Sequence, residues 1–210
     1  MNILVVFFTF SLLIPLSYTA IEFDYCVGDP KLPTSPIGYS CKDPAQVITD
    51  DFVYTGFRGE ITTANIFKAN VTFAFANTFP ALNGLGIAMT KAEIGVGGVI
   101  PAHTHRTTEI IVVLKGSIIA GFVDTNNTAY YKRLEVGDVM VFPPTMIHFQ
   151  VNVGKTPASL YASYNGANPG VQLISPALFA SKIPTELVAR ITFISPLEIT
   201  RISKILFGTA

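Results

Sequence analysis

From Ile110 onward the chain alternates short apolar runs with turn residues. IIVVL (110–114) is an apolar run, SIIAGFV (117–123) continues after Gly116, and AYYKRLE (129–135) returns after the polar turn DTNNT (124–128). Val136-Gly137-Asp138 is a second turn, followed by VMVF (139–142), MIHFQVNV (146–153) and LYASYNG (160–166). Upstream, the turn-rich NTFPALNGLG (77–86) precedes IAMTKAEIGVGG (87–98), the start of a further strand. Short strands at this spacing predict an all-β sandwich or barrel. Residues 43–60 read as a loop leading to a strand, with Phe52, Tyr54 and Phe57 as its anchors.

The pattern changes at both ends. From about residue 175, Ser175-Pro176, Pro184-Thr185 and Ser195-Pro196 each open a short helix-like segment, the first and third with Ser before Pro as at a helix start. Leu197, Ile199, Ile202, Ile205 and Leu206 form a helical stripe. At the other end, Ile3–Leu16 is apolar but short of the roughly 20 residues that span a bilayer. Small and polar residues follow as far as Ala20, so residues 1–20 read as a secretory signal peptide. The stretch before the apolar run has no Lys or Arg, and a membrane anchor is the alternative. Residues 21–210 then form a single domain.

Charge narrows the partners. Fourteen basic and fourteen acidic residues give a formal net charge of zero with no basic block, which argues against nucleic acid. Charged residues make up 13% of the chain, against roughly 25% in ordinary soluble domains. The leader accounts for part of that deficit; the rest points to apolar surface buried between subunits, or to one large barrel core. Cys26 and Cys41 are the only cysteines, and in an exported chain two cysteines pair, here closing a Pro- and Gly-rich loop. Asn70-Val71-Thr72 and Asn126-Asn127-Thr128 fit the N-glycosylation sequon; Asn126, in a hairpin tip, is the better exposed. The glycines at 95, 97 and 98 suit turns rather than a phosphate loop, because no Lys-Ser/Thr or helix follows them.

The chemistry gathers in one stretch. All three histidines of the chain, His103, His105 and His148, fall between Gly95 and Asn152, with Glu109 beside them. Residues i and i+2 of a strand share a face, so His103 and His105 can meet one ion. A straight strand would carry Glu109 about 13 Å further on, so the chain must bulge or loop through Arg106–Thr108 to bring it back. His148 lies 39 residues after Glu109, enough for two hairpins and a return strand alongside the first, placing the ligands on two neighbouring antiparallel strands. Three imidazoles and a carboxylate suit Mn, Fe, Zn, Cu or Ni. With every imidazole committed to the ion, no histidine is left for a Ser-His hydrolase; redox chemistry at the ion, with Glu109 as a possible proton relay, remains open.

Two sequence boxes resemble those of the germin-like proteins, plant members of the cupin superfamily. The first runs from Gly97 or Gly98 through His103-Thr104-His105 and Glu109 to Gly116; the second contains Gly137-Asp138, Pro143, His148 and Asn152. The leader, the cysteine pair and the helical tail fit as well, so the resemblance covers nearly the whole chain. It implies a cupin jelly-roll β-barrel with short C-terminal α-helices, and manganese held by His103, His105, Glu109 and His148. It also implies a Cys26–Cys41 disulfide, a hexamer built as a trimer of dimers whose helices clasp a neighbour, and a place in the apoplast or cell wall with a defence or development role. The activities it implies are superoxide dismutation and, in other members, oxalate oxidation or auxin binding; cell-wall components are further possible partners. Germins that oxidise oxalate carry two asparagines near the substrate, where this chain has Thr90 and Ile100, which argues against that activity. Two more departures are three rather than four residues between His105 and Glu109, and Thr145 where the second box has Gly; a threonine there is expected to alter the turn. Asn152 reads as a structural or supporting residue rather than a ligand.

Overall fold

The computed structural model describes residues 24–59 and 61–207; the leader expected over residues 1–20 lies outside them. A small hairpin, β1 (Thr34–Ser35) and β2 (Gly38–Tyr39), precedes the main body. The barrel is built from β3 (Ala69–Ala74), β4 (Ala88–Ile94), β5 (Val99–Thr104), β6 (Glu109–Lys115) and β7 (Ile118–Val123). It is completed by β8 (Ala129–Leu134), β9 (Val139–Phe142), β10 (Ile147–Asn152), β11 (Ala158–Tyr164) and β12 (Gln172–Leu173). These ten strands make two five-stranded sheets, in the orders β12-β5-β10-β7-β8 and β3-β4-β11-β6-β9, and every pairing is antiparallel. The all-β cupin jelly roll expected from the sequence is the fold observed.

The core lies between the sheets. Ile94, Ile111, Val113, Phe142 and Leu160 of one sheet meet Ile118, Ala120 and Leu134 of the other, all buried. Alternation explains why β6 reads as an unbroken apolar run: Glu109, Ile111 and Val113 point inward, whereas Ile110 and Leu114 face out at 46% and 43% exposure. Beside them on β9, Val139 and Val141 are also exposed, leaving an apolar stripe on the outer face.

The segment before the barrel departs from the sequence reading. Residues 43–60 do not lead directly into a strand; two short 3-10 turns, Pro44–Gln46 and Thr49–Phe52, come first, and β3 begins only at Ala69. The Asp43 and Asp51 carboxylates accept the backbone N–H groups of Ala45 and Ile48, offering this backbone local partners in place of a ladder. Tyr54 donates its hydroxyl to the Phe73 carbonyl at 2.8 Å, and Phe57 packs on Tyr161. Phe52 instead packs against Tyr25 and stays exposed. The Cys26–Cys41 disulfide is formed, and Asn83 ties its loop to the barrel side by hydrogen bonds to both the N–H and the carbonyl of Tyr39.

Three helices follow: α1 (Ile174–Phe179), α2 (Thr185–Thr192) and α3 (Pro196–Phe207). α3 starts as its sequence predicts, with Ser195 Oγ accepting the Glu198 N–H. α1 does not: it begins at Ile174, with Leu173 in the capping position and Pro176 inside the first turn. Leu173 is held in β12 opposite His103, so the sheet ladder sets where the helix starts and overrides the Ser-Pro signal. Pro184 precedes α2 as its cap, one residue earlier than the first helical position. No described helix is long and apolar enough to cross a membrane.

Candidate metal centre

Three strands from both sheets deliver the four side chains. His103 lies on β5 and His148 on β10, with their Cα atoms directly paired; His105 sits one residue past the end of β5. The expected return strand beside the first is observed, since β10 pairs antiparallel with β5, but Glu109 opens β6 in the other sheet and so does not share those two strands. The segment Arg106–Thr108 is not a bulge within a strand but the crossing from one sheet to the other. It is pinned by Arg106 N–H to the Pro169 carbonyl, 3.0 Å, and Thr108 N–H to Asn165 Oδ1, 2.9 Å. Three residues suffice for this crossing.

One potential ligand atom from each of His103, His105, Glu109 and His148 lies within 4.8 Å of every other, and all four residues are buried. Glu109 Oε2 stands 2.9 Å from His148 Nε2 and 3.1 Å from His105 Nε2. Each imidazole uses its other nitrogen on a backbone carbonyl: His103 Nδ1 on Pro101 at 2.8 Å, His148 Nδ1 on Met146 at 2.9 Å, and His105 Nδ1 on Gly170. A carbonyl can only accept, so Nδ1 carries a proton and each ring turns its Nε2 inward, where it can offer a lone pair to a cation. Lone pairs and a carboxylate oxygen converging this closely repel unless a proton or a cation lies among them. His105 Nε2 is buried and, although 3.1 Å from Glu109 Oε2, makes no well-aligned hydrogen bond. Donor chemistry, tautomers and this orphaned nitrogen together fit a metal cation.

Electrostatics follow from the same crowding. When protons on Nε2 take the place of a cation, burial pushes the Glu109 carboxyl up, but hydrogen bonds from His105 and His148, and then their charge, bring it down to about 2. Burial, and next the like charge of His148, lower His103 to about 4. Burial and then the Glu109 charge push the Tyr164 phenol well above its ordinary range, so it keeps its proton. At neutral pH the site offers a charged carboxylate and, at His103, a neutral imidazole.

A cavity of about 240 Å³ opens beside the cluster, lined by His103, His105 and Glu109 together with mostly apolar groups such as Val71, Phe73, Ala92, Ile100 and Leu160. Thr90 and Ile100 both line it, as does Gln150. Sequence reasoning missed Tyr164, whose ring meets His105 edge-on at 5.0 Å, and Phe142, which stacks on His148 at 4.6 Å. It also missed Gln150, which the strand period could have found, because Gln150 is two residues beyond His148 and faces the same way. Nothing in the local sequence marks Pro101, Met146 or Gly170 as carbonyl acceptors.

Thr145 corrects another expectation. It adopts the left-handed backbone (φ 67°) despite its β-branched side chain, so the turn that glycine would favour is kept. Asn152 lies among turns rather than ligands: its side-chain nitrogen is 2.8 Å from the Ile94 carbonyl and 2.9 Å from that of Thr156, and its Oδ1 accepts the Gly154 N–H. Gly98 beside it has no room for a side chain, since a Cβ would stand 2.3 Å from the Lys68 carbonyl oxygen. Of the two sequons, Asn126 is exposed in the β7–β8 turn, whereas Asn70 is half-buried in β3 with its amide donating to the Thr62 carbonyl.

Two antiparallel sheets closed over a core, with three histidines and a glutamate turned inward, define a cupin, and residues 59–199 match the family described as Cupin. The chain belongs to the germin-like proteins of that family. It is 49% identical to auxin-binding protein ABP19a of Prunus persica, over 97% of this chain and 98% of that one. It is 48% identical to a germin-like protein of Morus alba, again over 97% and 98%. Among solved structures it resembles an oxalate oxidase in complex with the substrate analogue glycolate, with a TM-score of 0.86 and 28% identity over 90% of this chain and 98% of that one.

Proposed function

We propose that this is a secreted manganese protein of the plant apoplast or cell wall with superoxide dismutase-type activity. The observation that carries the reading is the buried convergence of His103, His105, Glu109 and His148, each ring fixed by a carbonyl so that Nε2 faces the centre. Manganese bound there would supply reversible one-electron exchange with a small oxygen anion such as superoxide. The chain's own residues set the conditions. Glu109 brings a negative charge, the rings are held in one orientation by their carbonyls, and the cavity wall beside them is mostly apolar. No histidine is spare as a general base, so protons reach the site through Glu109 or solvent. Oxalate stands outside the reading, because Ile100 gives its carboxylates only apolar contact.

Leader cleavage after residue 20 and export belong to the same proposal, as does a homo-oligomer, taken as a hexamer made of three dimers. The outward Ile110, Leu114, Val139 and Val141 and the exposed Phe193 and Leu197 support burial between subunits. Metal analysis of protein purified from its native source, followed by a dismutase assay, tests the reading. Stoichiometric manganese and turnover, both lost in His148→Ala, are expected. Bound manganese without turnover removes the enzymatic half, and absence of metal removes the whole.

A second reading has its own support: the cavity is mostly apolar, and a relative 49% identical is named for auxin binding. There the protein binds an apolar carboxylate or wall component without turnover, and the metal is structural. Ligand binding and oligomer retained in His105→Ala favour it.

A further inference from the structure

The three imidazoles are not held alike. His103 and His148 each give Nδ1 to a carbonyl two residues back in their own stretch of chain, Pro101 and Met146, so their orientation comes with the local backbone. His105 gives its Nδ1 to Gly170, 65 residues further on. Gly170 belongs to the strap 165–171, which joins β11 to β12 outside any ladder. Three successive carbonyls of that strap take donors from two adjacent residues. Asn168 accepts from Arg106 Nη2 at 2.9 Å, Pro169 from the Arg106 N–H at 3.0 Å, and Gly170 from the His105 ring. The Arg106 guanidinium also lies over Gly170, where a Cβ would stand 2.8 Å from Nη1. Among the described residues no carboxylate pairs with Arg106, and Asn168 is the one acceptor of its guanidinium.

We propose that Arg106 is a positioning residue for the metal centre: by clamping residues 168–170 it keeps the Gly170 carbonyl on His105 Nδ1 and so aims His105 Nε2 at the cation. This rests on reading the His–Glu cluster as a cation site. The strap needs a clamp because it runs along the surface. A cleft of about 500 Å³, lined by Thr104, Arg106, Thr145, Gly170 and Gln172 among others, opens beside it, so water competes for its carbonyls. A charged donor holds a carbonyl against that competition better than a neutral one. Pro169 is fully buried and anchors the strap from below, so without the Arg106 side chain the strap shifts rather than unfolds. The sign of the effect separates two roles. A guanidinium repels a nearby cation, so a residue acting by charge alone would weaken manganese, and its removal would tighten binding. A residue acting through the strap does the opposite.

The test titrates metal-free full-length protein with manganese, counts the unbound ion by electron paramagnetic resonance, and records the line shape of the bound ion at saturation. Arg106→Ala is expected to weaken manganese about tenfold, the low end of what disturbing the outer partner of a metal-binding histidine costs, and to broaden the bound signal. Arg106→Lys, which keeps a charged donor for the Asn168 carbonyl, is expected to return the affinity to within about twofold of the parent. Unchanged or tighter manganese in Arg106→Ala overturns the clamp while leaving the cation reading standing. Equal weakening in Arg106→Ala and Arg106→Lys overturns the hydrogen bond as its cause. A weaker affinity with the parent line shape at saturation overturns the reorientation of His105. Parent protein that takes up no manganese overturns the cation reading, and the clamp with it.

Discussion

Thr145 donates its backbone N–H to the carbonyl of His105 at 2.9 Å, joining the turn before β10 to the end of β5. It does so from a left-handed backbone, φ 67°, which a β-branched residue adopts only under strain. The neighbouring Met146 carbonyl holds His148 Nδ1, so this one turn braces two of the four clustered side chains. Thr145→Gly is expected to relieve the strain and raise folding stability by about 1 kcal/mol, read from urea unfolding of the metal-free protein. A loss of stability would show that the threonine side chain more than offsets its backbone cost.

Acid should unfold the metal-free protein through the same cluster. The folded His103 imidazole sits at about 4 against an ordinary 6.5, so between these values the unfolded chain binds more protons than the folded one. Stability is therefore full above about pH 6.5 and is lost as the pH falls through 4, by up to about 3 kcal/mol. Glu109, at about 2 against 4.5, extends the loss further down. Urea midpoints measured from pH 7 to 3 should fall steadily, and manganese should shift the fall to lower pH, because protons and metal compete for the same lone pairs. A flat profile would mean that the folded site accepts a proton at His103 without cost.

The disulfide should matter to stability and not to the metal. Cys26 and Cys41 are 15 residues apart, and replacing both by alanine is expected to cost about 3 kcal/mol by freeing the unfolded chain. Manganese content should not change, since neither cysteine nor the loop they close lines the cavity beside the cluster. Thermal unfolding with parallel metal analysis checks both halves.

Glycan attachment should distinguish the sequons. Asn126 is exposed in a turn, whereas the Asn70 side chain is engaged with the Thr62 carbonyl and the Val71 N–H inside a strand. Asn126→Gln is expected to remove the glycan mass from protein made in a secretory host. Asn70→Gln should leave that mass unchanged and lower stability by about 1 kcal/mol, the loss of a hydrogen bond.

The sequence was legible wherever the signal was local. The turns at DTNNT and Val136–Asp138 bound strands where the pattern put them, and Ser195-Pro196 caps α3 as its residues predict. Where long-range pairing competed with local preference, the pairing won. β12 fixed the start of α1 ahead of the Ser-Pro signal, and the fold held Thr145 in a backbone its side chain disfavours.

By itself the amino-acid order determined that His103 and His105 share a face, that the chain must turn before Glu109, and that an all-β barrel ends in short helices. Those follow from the two-residue period of a strand, the reach of an extended backbone and the chemistry of turn residues, all properties of neighbours in the chain. Only the tertiary structure decided that Glu109 arrives from the opposite sheet, that His105 leans on the Gly170 carbonyl, and that Tyr164 and Gln150 close around the same cavity. Period two states which face a residue takes but not which strand lies beside it. Groups that meet across the two sheets are joined by packing and ladder register, which no short stretch of sequence encodes.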